Sequence, residues 1–262
     1  MLSLVLMNLY MKKYKIGVIG GSGIYTLKNY KVFASNTSTD HKSSKSPLEK
    51  YSINGHEIYF VSRHGIGHVL LPHEIDYKKL IENFSNLRVD FIISFCTVGS
   101  LNKKYRPGDY IVPIDIIDFT HGRIGSKYTL DNKHVDTKPL FNAALVELIK
   151  NSFDKVRMDF INDGILGVIE GPRFATYAEQ KMFKKIGCDF LNMTQMPETY
   201  LAHVFSIPYI SLCHVTDFTT TVDKRYNINS RSAIVTFKSN VEKIEKILSS
   251  VLGCLDEDNF KI

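Results

Sequence analysis

The sequence predicts an α/β fold, a single domain whose mixed, mostly parallel central β-sheet is flanked by helices. Short and almost continuously apolar segments alternate along the chain with segments of helical periodicity. Continuous apolar runs are typical of strands covered on both faces, and their alternation with helices is typical of a parallel sheet. Apolar residues make up 44% of the 262 residues, which is enough for a sizeable core.

Each expected element follows from a local pattern. Apolar runs predict strands over residues 15–19, 57–61, 91–96, 110–117, 164–169, 190–192 and 209–215. Apolar residues spaced three and four apart predict helices over residues 75–86, 139–152, 177–186, 198–204 and 232–252. The polar stretch from residue 30 to residue 50 predicts a loop with one poor strand. Residues 1–12 are interpreted as an N-terminal extension, and residues 13–262 as the domain.

The composition disfavours several classes of partner. The formal net charge is +6, with no run of five basic residues and no basic stripe interleaved with aromatics, so nucleic acid is not expected. No segment is long and apolar enough to predict a membrane span, and residues 1–10 lack the pattern of a signal peptide. The four cysteines form no C-x-x-C pair, which disfavours a zinc site and indicates buried thiols in a reducing cytoplasm.

Glycines follow the first strand, in the sequence Gly20-Gly-Ser-Gly23. In sheets of this kind, ligands bind beyond the carboxyl ends of the strands. Glycines let a backbone approach a phosphate, and the Ser22 hydroxyl can bind its oxygens. The dinucleotide pattern G-x-G-x-x-G fails because Thr26 replaces the last glycine, and the Walker A pattern is absent as well. A phosphate loop and a plain tight turn both remain open.

A cation and further hydroxyls follow other predicted strands. Arg63 and His64 come after the second, and Arg offers a planar fork of donors that suits a phosphate. Thr97 and Thr194 end two more, although either threonine alone is better explained as a cap or turn residue. Together with Ser22, these side chains predict a site for a dianionic phosphate that needs no metal.

A metal site is the alternative for the histidines of this segment. His64, His68 and His73 lie close together in the sequence. Ligation by residues four apart requires a helix, and the intervening glycines and Pro72 interrupt one. We therefore expect no metal at these histidines.

Two strand-to-helix corners, residues 170–179 and 192–198, predict the walls of one ligand pocket. In each, an apolar segment leads into a polar corner, which is followed by a helix start that contains a proline.

Asp217 follows the last predicted strand. Its carboxyl can accept a hydrogen bond from an exocyclic amine or, protonated by burial, donate to a ring nitrogen. A turn or helix cap is the alternative for Asp217.

The motifs occur in an order that resembles one family. Gly-Gly-Ser-Gly, Ser-Arg-His-Gly, Thr-Val-Gly-Ser-Leu with Pro-Gly-Asp, Glu-Gly-Pro-Arg-Phe, Asn-Met-Thr with Pro-Glu, and Thr-Asp-Phe follow one another from about residue 13 to the C-terminal helix. This order is similar to that of the trimeric purine nucleoside phosphorylases, above all their 5′-methylthioadenosine branch. The resemblance implies phosphorolysis of 5′-methylthioadenosine to adenine and 5-methylthioribose 1-phosphate. It further implies no cofactor, phosphate as co-substrate, and a homotrimer with sites near the subunit interfaces.

The resemblance also implies roles for particular residues. Ser22, Arg63, His64, Thr97 and Thr194 match the family's phosphate site. Met193 matches a methionine against the ribose, and Phe174 and Ala175 match the loop beside the purine. Asp217 matches the catalytic aspartate that contacts N6 and N7 of adenine. At the 5′ end of the sugar, His134 matches a histidine that reaches a neighbouring subunit's site, and Ile228 is expected to line the apolar pocket for the methylthio group.

Three positions depart from the family pattern and concern the choice of base. Thr219 stands where adenine-specific members usually carry a second aspartate, Ala175 replaces a small serine, and Cys96 replaces a threonine. A phosphorylase for inosine, guanosine, adenosine or methylthioinosine is therefore the closest alternative. A nucleoside-binding regulator on the same scaffold is an alternative of another class, and the complete set of phosphate residues disfavours it.

Overall fold

The computed structural model describes residues 12–27, 32–35, 46–123, 125–219, 241–257 and 260. Within them the chain forms one sheet of 11 strands together with helices, which confirms the predicted α/β class and the single domain. The predicted N-terminal extension lies outside the described residues, apart from Lys12. No helix among the described residues is long and apolar enough to cross a membrane.

The elements are numbered in chain order. The strands are β1 (Lys15–Gly20), β2 (Val32–Ser35), β3 (Leu48–Ile53), β4 (His56–Ser62), β5 (Phe91–Ser100), β6 (Tyr110–Val112), β7 (Asp115–Asp118), β8 (Ile161–Asn162), β9 (Ile165–Val168), β10 (Phe190–Asn192) and β11 (Tyr209–Phe218). The helices are α1 (Tyr77–Asn86), α2 (Ala143–Val156), α3 (Tyr177–Lys185), α4 (Gln195–Val204) and α5 (Val241–Glu257). A short 3₁₀ turn at Pro72–Glu74 precedes α1.

The strand β5 is the centre of the sheet. It pairs in parallel with β1 on one side and with β11 on the other, and its last residues also pair with β10. Since β4 is parallel to β1, the carboxyl ends of β4, β1, β5 and β11 lie at the same edge of the sheet. The ligand-binding edge expected for a mostly parallel sheet is therefore present.

Two strands run further than their apolar patterns predict. The strand β5 continues through Thr97 to Ser100, and β11 continues through Asp217 to Phe218. The prediction that Thr97 and Asp217 lie just past a strand is therefore wrong. The reason is long-range pairing. The register between β11 and β5 shifts at a bulge between Val215 and Asp217, and the two strands then remain paired as far as Ser100 of β5. Such bulges redirect side chains and are common beside functional sites.

Several other boundaries also differ from the predictions. The helix predicted from residue 139 begins at Ala143 because the Asn142 side chain accepts hydrogen bonds from the Ala144 and Leu145 backbone N–H groups. The strand predicted over residues 110–117 is split into β6 and β7, and Pro113 lies between them, where it has no N–H to donate. The polar segment from residue 30 holds β2 and the start of β3. The predicted start of the last helix, residues 232–240, lies outside the described residues, and α5 continues to residue 257.

Gly20 closes β1 in a tightly packed corner. A Cβ atom at this position would lie 2.5 Å from the carbonyl oxygen of Ile24 and 2.7 Å from the Phe60 ring. Real Cβ atoms do not approach other atoms so closely. Gly20 is therefore required by packing beneath the loop that carries Ser22, a different reason from the approach to a phosphate that the sequence suggests.

We expect Gly20→Ala to lower the free energy of unfolding by about 1–3 kcal/mol, because the new methyl overpacks this corner. The matched control is Gly253→Ala in α5, where an added Cβ meets no heavy atom within 4 Å. Alanine is about 1 kcal/mol more favourable than glycine inside a helix, so the control should be neutral or stabilising. Urea denaturation measures both variants, and equal stabilities would contradict the packing argument.

Candidate active site

A cavity of about 340 Å³ opens at the carboxyl edge of the central strands. Its volume lies within the range typical of small-molecule sites. All of the predicted site residues except His134 and Ile228 line it: Ser22, Arg63, His64, Thr97, Phe174, Ala175, Met193, Thr194, Asp217 and Thr219. Residues distant in the sequence are thus brought to one site by the topology of the sheet.

Arg63 is a fully buried cation held by an equally buried carboxylate. The exposed fractions of the Arg63 and Glu198 side chains are 1% and 0%. Arg63 Nε donates to Glu198 Oε2 at 2.6 Å, and Nη2 donates to Oε1 at 2.9 Å, a bidentate pair. Burial by itself disfavours the charged guanidinium, but the charge and hydrogen bonds of Glu198 raise the pKa of Arg63. Arg63 is therefore cationic at any pH at which the protein is folded.

The remaining donors of Arg63 show where an anion can bind. Nη2 also donates to Ser94 Oγ at 2.6 Å, and Nη1 donates to the carbonyl oxygen of Phe95 at 3.2 Å. Four of the five guanidinium N–H groups are thus committed within the described part of the chain. The fifth, on Nη1, is available to a ligand, and Nη1 lies beside Gly21, next to Ser22. This arrangement fixes one cationic donor at the wall of the cavity.

Buried polar neighbours complete the surroundings of Glu198. Ser94 Oγ donates to Glu198 Oε1 at 2.6 Å, and the Tyr209 hydroxyl lies 2.7 Å from the same oxygen. The Tyr209 hydroxyl is also 2.6 Å from Gln195 Oε1. Taking two charges out of water costs several kcal/mol per ion, and the attraction between the charges offsets that cost only where additional hydrogen bonds of this kind satisfy both groups.

His64 is neutral and has a defined tautomer. Its Nδ1 lies 2.9 Å from the carbonyl oxygen of Leu70, and a carbonyl only accepts, so Nδ1 carries the hydrogen. Burial, the stacked ring of His68 and the charge of Arg63 lower the pKa of His64 to about 3. Nε2 is therefore an acceptor. In this form His64 can accept a hydrogen from a ligand.

The side chain of Asn192, and not that of Thr194, caps the backbone at the start of α4. Asn192 Oδ1 accepts hydrogen bonds from the backbone N–H groups of Thr194 and Gln195, at 2.6 and 2.9 Å. Its Nδ2 donates to the carbonyl oxygen of Thr97 at 2.8 Å, which ties the start of α4 to β5. The Thr194 hydroxyl makes no cap hydrogen bond in the described structure, and Thr194 lines the cavity. Thr194 is thus placed at the wall of the cavity, where its hydroxyl can bind a ligand.

Arg123 joins the two predicted corners. Its Nη1 donates to the carbonyl oxygens of Met193 and Met196, at 2.8 and 2.7 Å. Its Nη2 donates to the carbonyl oxygen of Glu170 at 2.6 Å, and Nε donates to the Glu170 carboxylate at 3.2 Å. The prediction that the corners form one wall is consistent with this arrangement, in which a single buried guanidinium fixes both.

Gly171 allows the corners to touch. Its φ is +68°, a conformation that glycine adopts without strain. A Cβ atom there would lie 2.7 Å from the sulfur of Met193, so glycine leaves room for this Met193 conformer against the first corner. The close contact positions the Met193 side chain at the cavity.

Asp217 is aimed into the cavity by the bulge in β11. The Thr216 hydroxyl donates to Asp217 Oδ1 at 2.6 Å, and Oδ2 lies above Gly99, 3.4 Å from where a Cβ of that residue would be. Burial raises the pKa of Asp217, although the hydrogen bond from Thr216 opposes the shift. A carboxyl of this kind can bind a proton and donate it to a ring nitrogen.

The wall between Asp217 and the anion donors is largely apolar. Phe174 is 47% exposed and stands at the mouth, while Ala175 and Met193 lie deeper. Gln180 of α3 also lines the cavity and is buried, and its Nε2 donates to the carbonyl oxygen of Ala175 at 2.8 Å. Such a wall suits a flat heterocycle and a sugar better than a second charged group.

The two remaining predicted residues lie elsewhere. His134 is exposed and does not line this cavity, and Ile228 lies outside the described residues. The alternative metal site also finds no counterpart, since the described residues contain no group of three or more His, Cys, Asp or Glu side chains that could hold an ion.

Sequence reasoning missed Glu198, Arg123 and Gln180. A faint signal existed for Glu198, an acid at the start of the predicted helix over residues 198–204, because a buried charge requires a partner. Arg123 lies in a polar segment that reads as surface, and its partners are mostly backbone carbonyls from segments far along the chain. No local pattern identifies such a residue.

The fold and the cavity suit a protein that binds an anion and an apolar, heterocycle-sized ligand side by side. A family model described as the phosphorylase superfamily matches residues 15–253. The chain belongs to this superfamily, and its enzyme class is that of the pentosyltransferases.

Individual relatives are similar along almost the whole chain. The chain is 32% identical over 257 residues to the S-methyl-5'-thioadenosine phosphorylase of Thermofilum pendens, with 95% of each protein covered. It is 28% identical over 249 residues to the probable S-methyl-5'-thioinosine phosphorylase of Thermodesulfovibrio yellowstonii, with 94% of this chain and 93% of the relative covered. A crystal structure of the methylthioadenosine phosphorylase from Schistosoma mansoni in complex with adenine matches with a TM-score of 0.83 at 25% identity, covering 92% and 91% of the chains.

We expect Arg123→Lys to lower the free energy of unfolding by about 2–4 kcal/mol. Lysine keeps the charge but cannot reach carbonyls on both corners, and each unsatisfied buried polar group costs about 1–3 kcal/mol. The matched control is Arg173→Lys in the first corner, whose side chain is 66% exposed and paired with Glu179. That change should stay within about 0.5 kcal/mol. Equal unfolding curves for the two variants would show that Arg123 does not hold the corners together.

Proposed function

We propose that the chain catalyses phosphorolysis of 5′-methylthioadenosine, giving adenine and 5-methylthioribose 1-phosphate. The observation that carries this proposal is the pairing, in one cavity, of a fixed cationic donor at Arg63 with a buried carboxyl at Asp217. Asp217 pairs with Gly99 of β5, and Thr97 lies two residues before Gly99 on the same strand. At about 3.3 Å per residue, Thr97 and Gly99 are therefore about 6.6 Å apart along the strand. A nucleoside that reaches from the phosphate to Asp217 fits this spacing.

Each end of the cavity has a chemical task. Phosphate bound by Ser22, Arg63, Thr97 and Thr194 would be held against C1′ of the nucleoside, which replaces a bimolecular encounter by a fixed approach. As a phosphate oxygen forms its bond to C1′, the bond to the purine nitrogen breaks and its electron pair passes to the base. Asp217, with its raised pKa, donates or shares a proton at N7 and so stabilises the departing purine.

The neutral His64 fits this chemistry with its acceptor nitrogen. Hydrogen phosphate retains one O–H group near neutral pH, and Nε2 can accept that hydrogen. The pKa of about 3 keeps His64 in this form in the empty site. No metal or further cofactor is required by these steps, and phosphate is the only co-substrate that we propose.

The base that the site prefers follows from Asp217. A carboxylate accepts from the exocyclic amine of adenine, whereas an asparagine would donate to the oxygen of a 6-oxopurine. Two observations favour a second candidate, a phosphorylase for inosine, guanosine, adenosine or methylthioinosine. Thr219 and Ala175 line the cavity where adenine-specific members usually carry an aspartate and a small serine, and one relative bears the name of a methylthioinosine phosphorylase.

The assembly and the 5′ pocket complete the proposal. A homotrimer is supported by the position of His134, which is exposed and away from its own cavity, as a residue serving a neighbouring subunit would be. His134 and Ile228 would then surround the methylthio group. A reducing, cytoplasmic setting is supported by four cysteines that are all free and buried.

Initial rates on a panel of nucleosides test the proposal. We expect 5′-methylthioadenosine to be cleaved only when phosphate is present, and faster than inosine or guanosine. We expect Asp217→Asn to reduce kcat/KM on 6-aminopurines by about 100-fold or more, the size typical of general acid catalysis, and on 6-oxopurines by less. The matched control is Asp131→Asn, whose side chain is 80% exposed.

The outcomes distinguish the candidates. Faster cleavage of inosine than of methylthioadenosine would favour the second candidate. Cleavage that does not depend on phosphate would contradict phosphorolysis. Equal losses on both classes of base in Asp217→Asn would remove Asp217 from its proposed role.

A further inference from the structure

Cys96 and Cys213 face each other on neighbouring strands. They are register partners in the parallel pair of β5 and β11, and their Sγ atoms lie 3.2 Å apart. The exposed fractions of the two residues are 3% and 1%. The Ser211 hydroxyl lies 3.6 Å from Cys96 Sγ and 3.5 Å from Cys213 Sγ. The proposed phosphorolysis assigns no step to either cysteine.

The spacing suits a disulfide with little movement. Register partners on adjacent strands have Cα atoms about 4.8 Å apart, within the range of about 4.4–6.8 Å found for disulfides. The two sulfurs already point to the same side of the sheet. An S–S bond of about 2.05 Å requires them to approach by about 1.2 Å.

Only one of the two cysteines lines the cavity. Cys96 lines the cavity, between Phe95, whose carbonyl oxygen accepts from Arg63, and Thr97. Cys213 does not line it. A molecule the size of water or hydrogen peroxide that enters the cavity therefore meets Cys96 first.

The pKa values of the two thiols are shifted in opposite directions. Burial opposes ionisation of Cys96, but its contact with Cys213, the charge of Arg63 and the Ser211 hydroxyl together lower its pKa. Burial and the neighbouring Cys96 raise the pKa of Cys213. The thiolate is the reactive form of a cysteine, and the charge of Arg63 favours the thiolate at Cys96.

We propose that Cys96 and Cys213 are an oxidation site, at which a small peroxide links the two strands through a disulfide beside the anion-binding residues. In the first step Cys96 sulfur attacks one peroxide oxygen, the S–O bond forms, the O–O bond breaks and water leaves. In the second step Cys213 sulfur attacks Cys96, the S–S bond forms, and the hydroxyl leaves with the Cys213 proton as water. The two thiols together lose two electrons and hydrogen peroxide gains them.

The bond would act on the cavity through β5. Closing the two sulfurs displaces Cys96, and its neighbours Phe95 and Thr97 carry the Arg63 contact and one of the anion-binding hydroxyls. We expect oxidation to weaken phosphate binding, an effect on activity that rests on the proposed function. A ligand that fills the cavity blocks the approach to Cys96, so phosphate with a nucleoside should slow the reaction.

The test treats the protein with hydrogen peroxide and maps its peptides by mass spectrometry. We expect one linked pair, residues 96 and 213, with a loss of two hydrogens, slower formation when substrates are bound, and reversal by dithiothreitol. We expect phosphorolytic activity to fall by about 10-fold or more and to return with the reductant. In Cys213→Ala, Cys96 should instead advance to the sulfinic acid, which dithiothreitol does not reverse.

The matched controls are Cys188→Ala and Cys254→Ala, which remove buried thiols packed in other parts of the core. Both variants should still form the linked pair at the wild-type rate. Oxidation of Cys188 or Cys254 before Cys96, or thiols at 96 and 213 that stay reduced while others react, would overturn the proposal. Because the linked peptide is detected without an activity assay, failure of the proposed function would leave this result interpretable.

Discussion

The ion pair between Arg63 and Glu198 is the interaction on which the rest of the site depends. Both side chains are completely buried, and the pair connects the end of β4 to α4, with Ser94 of β5 and Tyr209 of β11 hydrogen-bonded to it. Such a pair is not a source of stability by itself, since desolvation offsets most of the attraction. Its effect is geometric: it keeps a permanent cation in one orientation at the edge where the parallel strands end.

A second buried arginine, Arg123, likewise fixes the geometry of the wall formed by the two strand-to-helix corners. Arg123 fixes the corners at Glu170 and Met193 through backbone carbonyls, so the segments that we propose to contact the sugar and base are held before a ligand arrives. Donors and dipoles that are already oriented do not have to reorganise as charge moves from nucleoside to purine during the reaction. The bulge that aims Asp217 acts in the same way at the base. In this protein, preorganisation depends on contacts between segments far apart in the chain.

That dependence explains what the sequence could and could not predict. The alternation of apolar runs and helical periodicity predicted the sheet, and short polar motifs predicted most residues around the cavity, because such motifs are local. The extension of β5 to Ser100 and of β11 to Phe218 was missed because Gly99, Ser100 and Thr216 interrupt the apolar pattern, and pairing with distant strands maintains these extensions. Arg123 was missed because its partners are carbonyls, which every residue has. The tautomer of His64 depends on Leu70 O and could not be inferred from residue type.

The most direct test of the account is a crystal structure with phosphate and a nucleoside analogue whose base is joined to C1′ by a carbon–carbon bond, which phosphate cannot cleave. The account predicts a phosphate oxygen about 3 Å from Arg63 Nη1, with Glu198 still paired to Nε and Nη2. It also predicts that Asp217 lies within hydrogen-bonding distance of N7. Phosphate bound elsewhere, or a guanidinium that leaves Glu198 to reach it, would contradict the claim that this ion pair sets the geometry of the site.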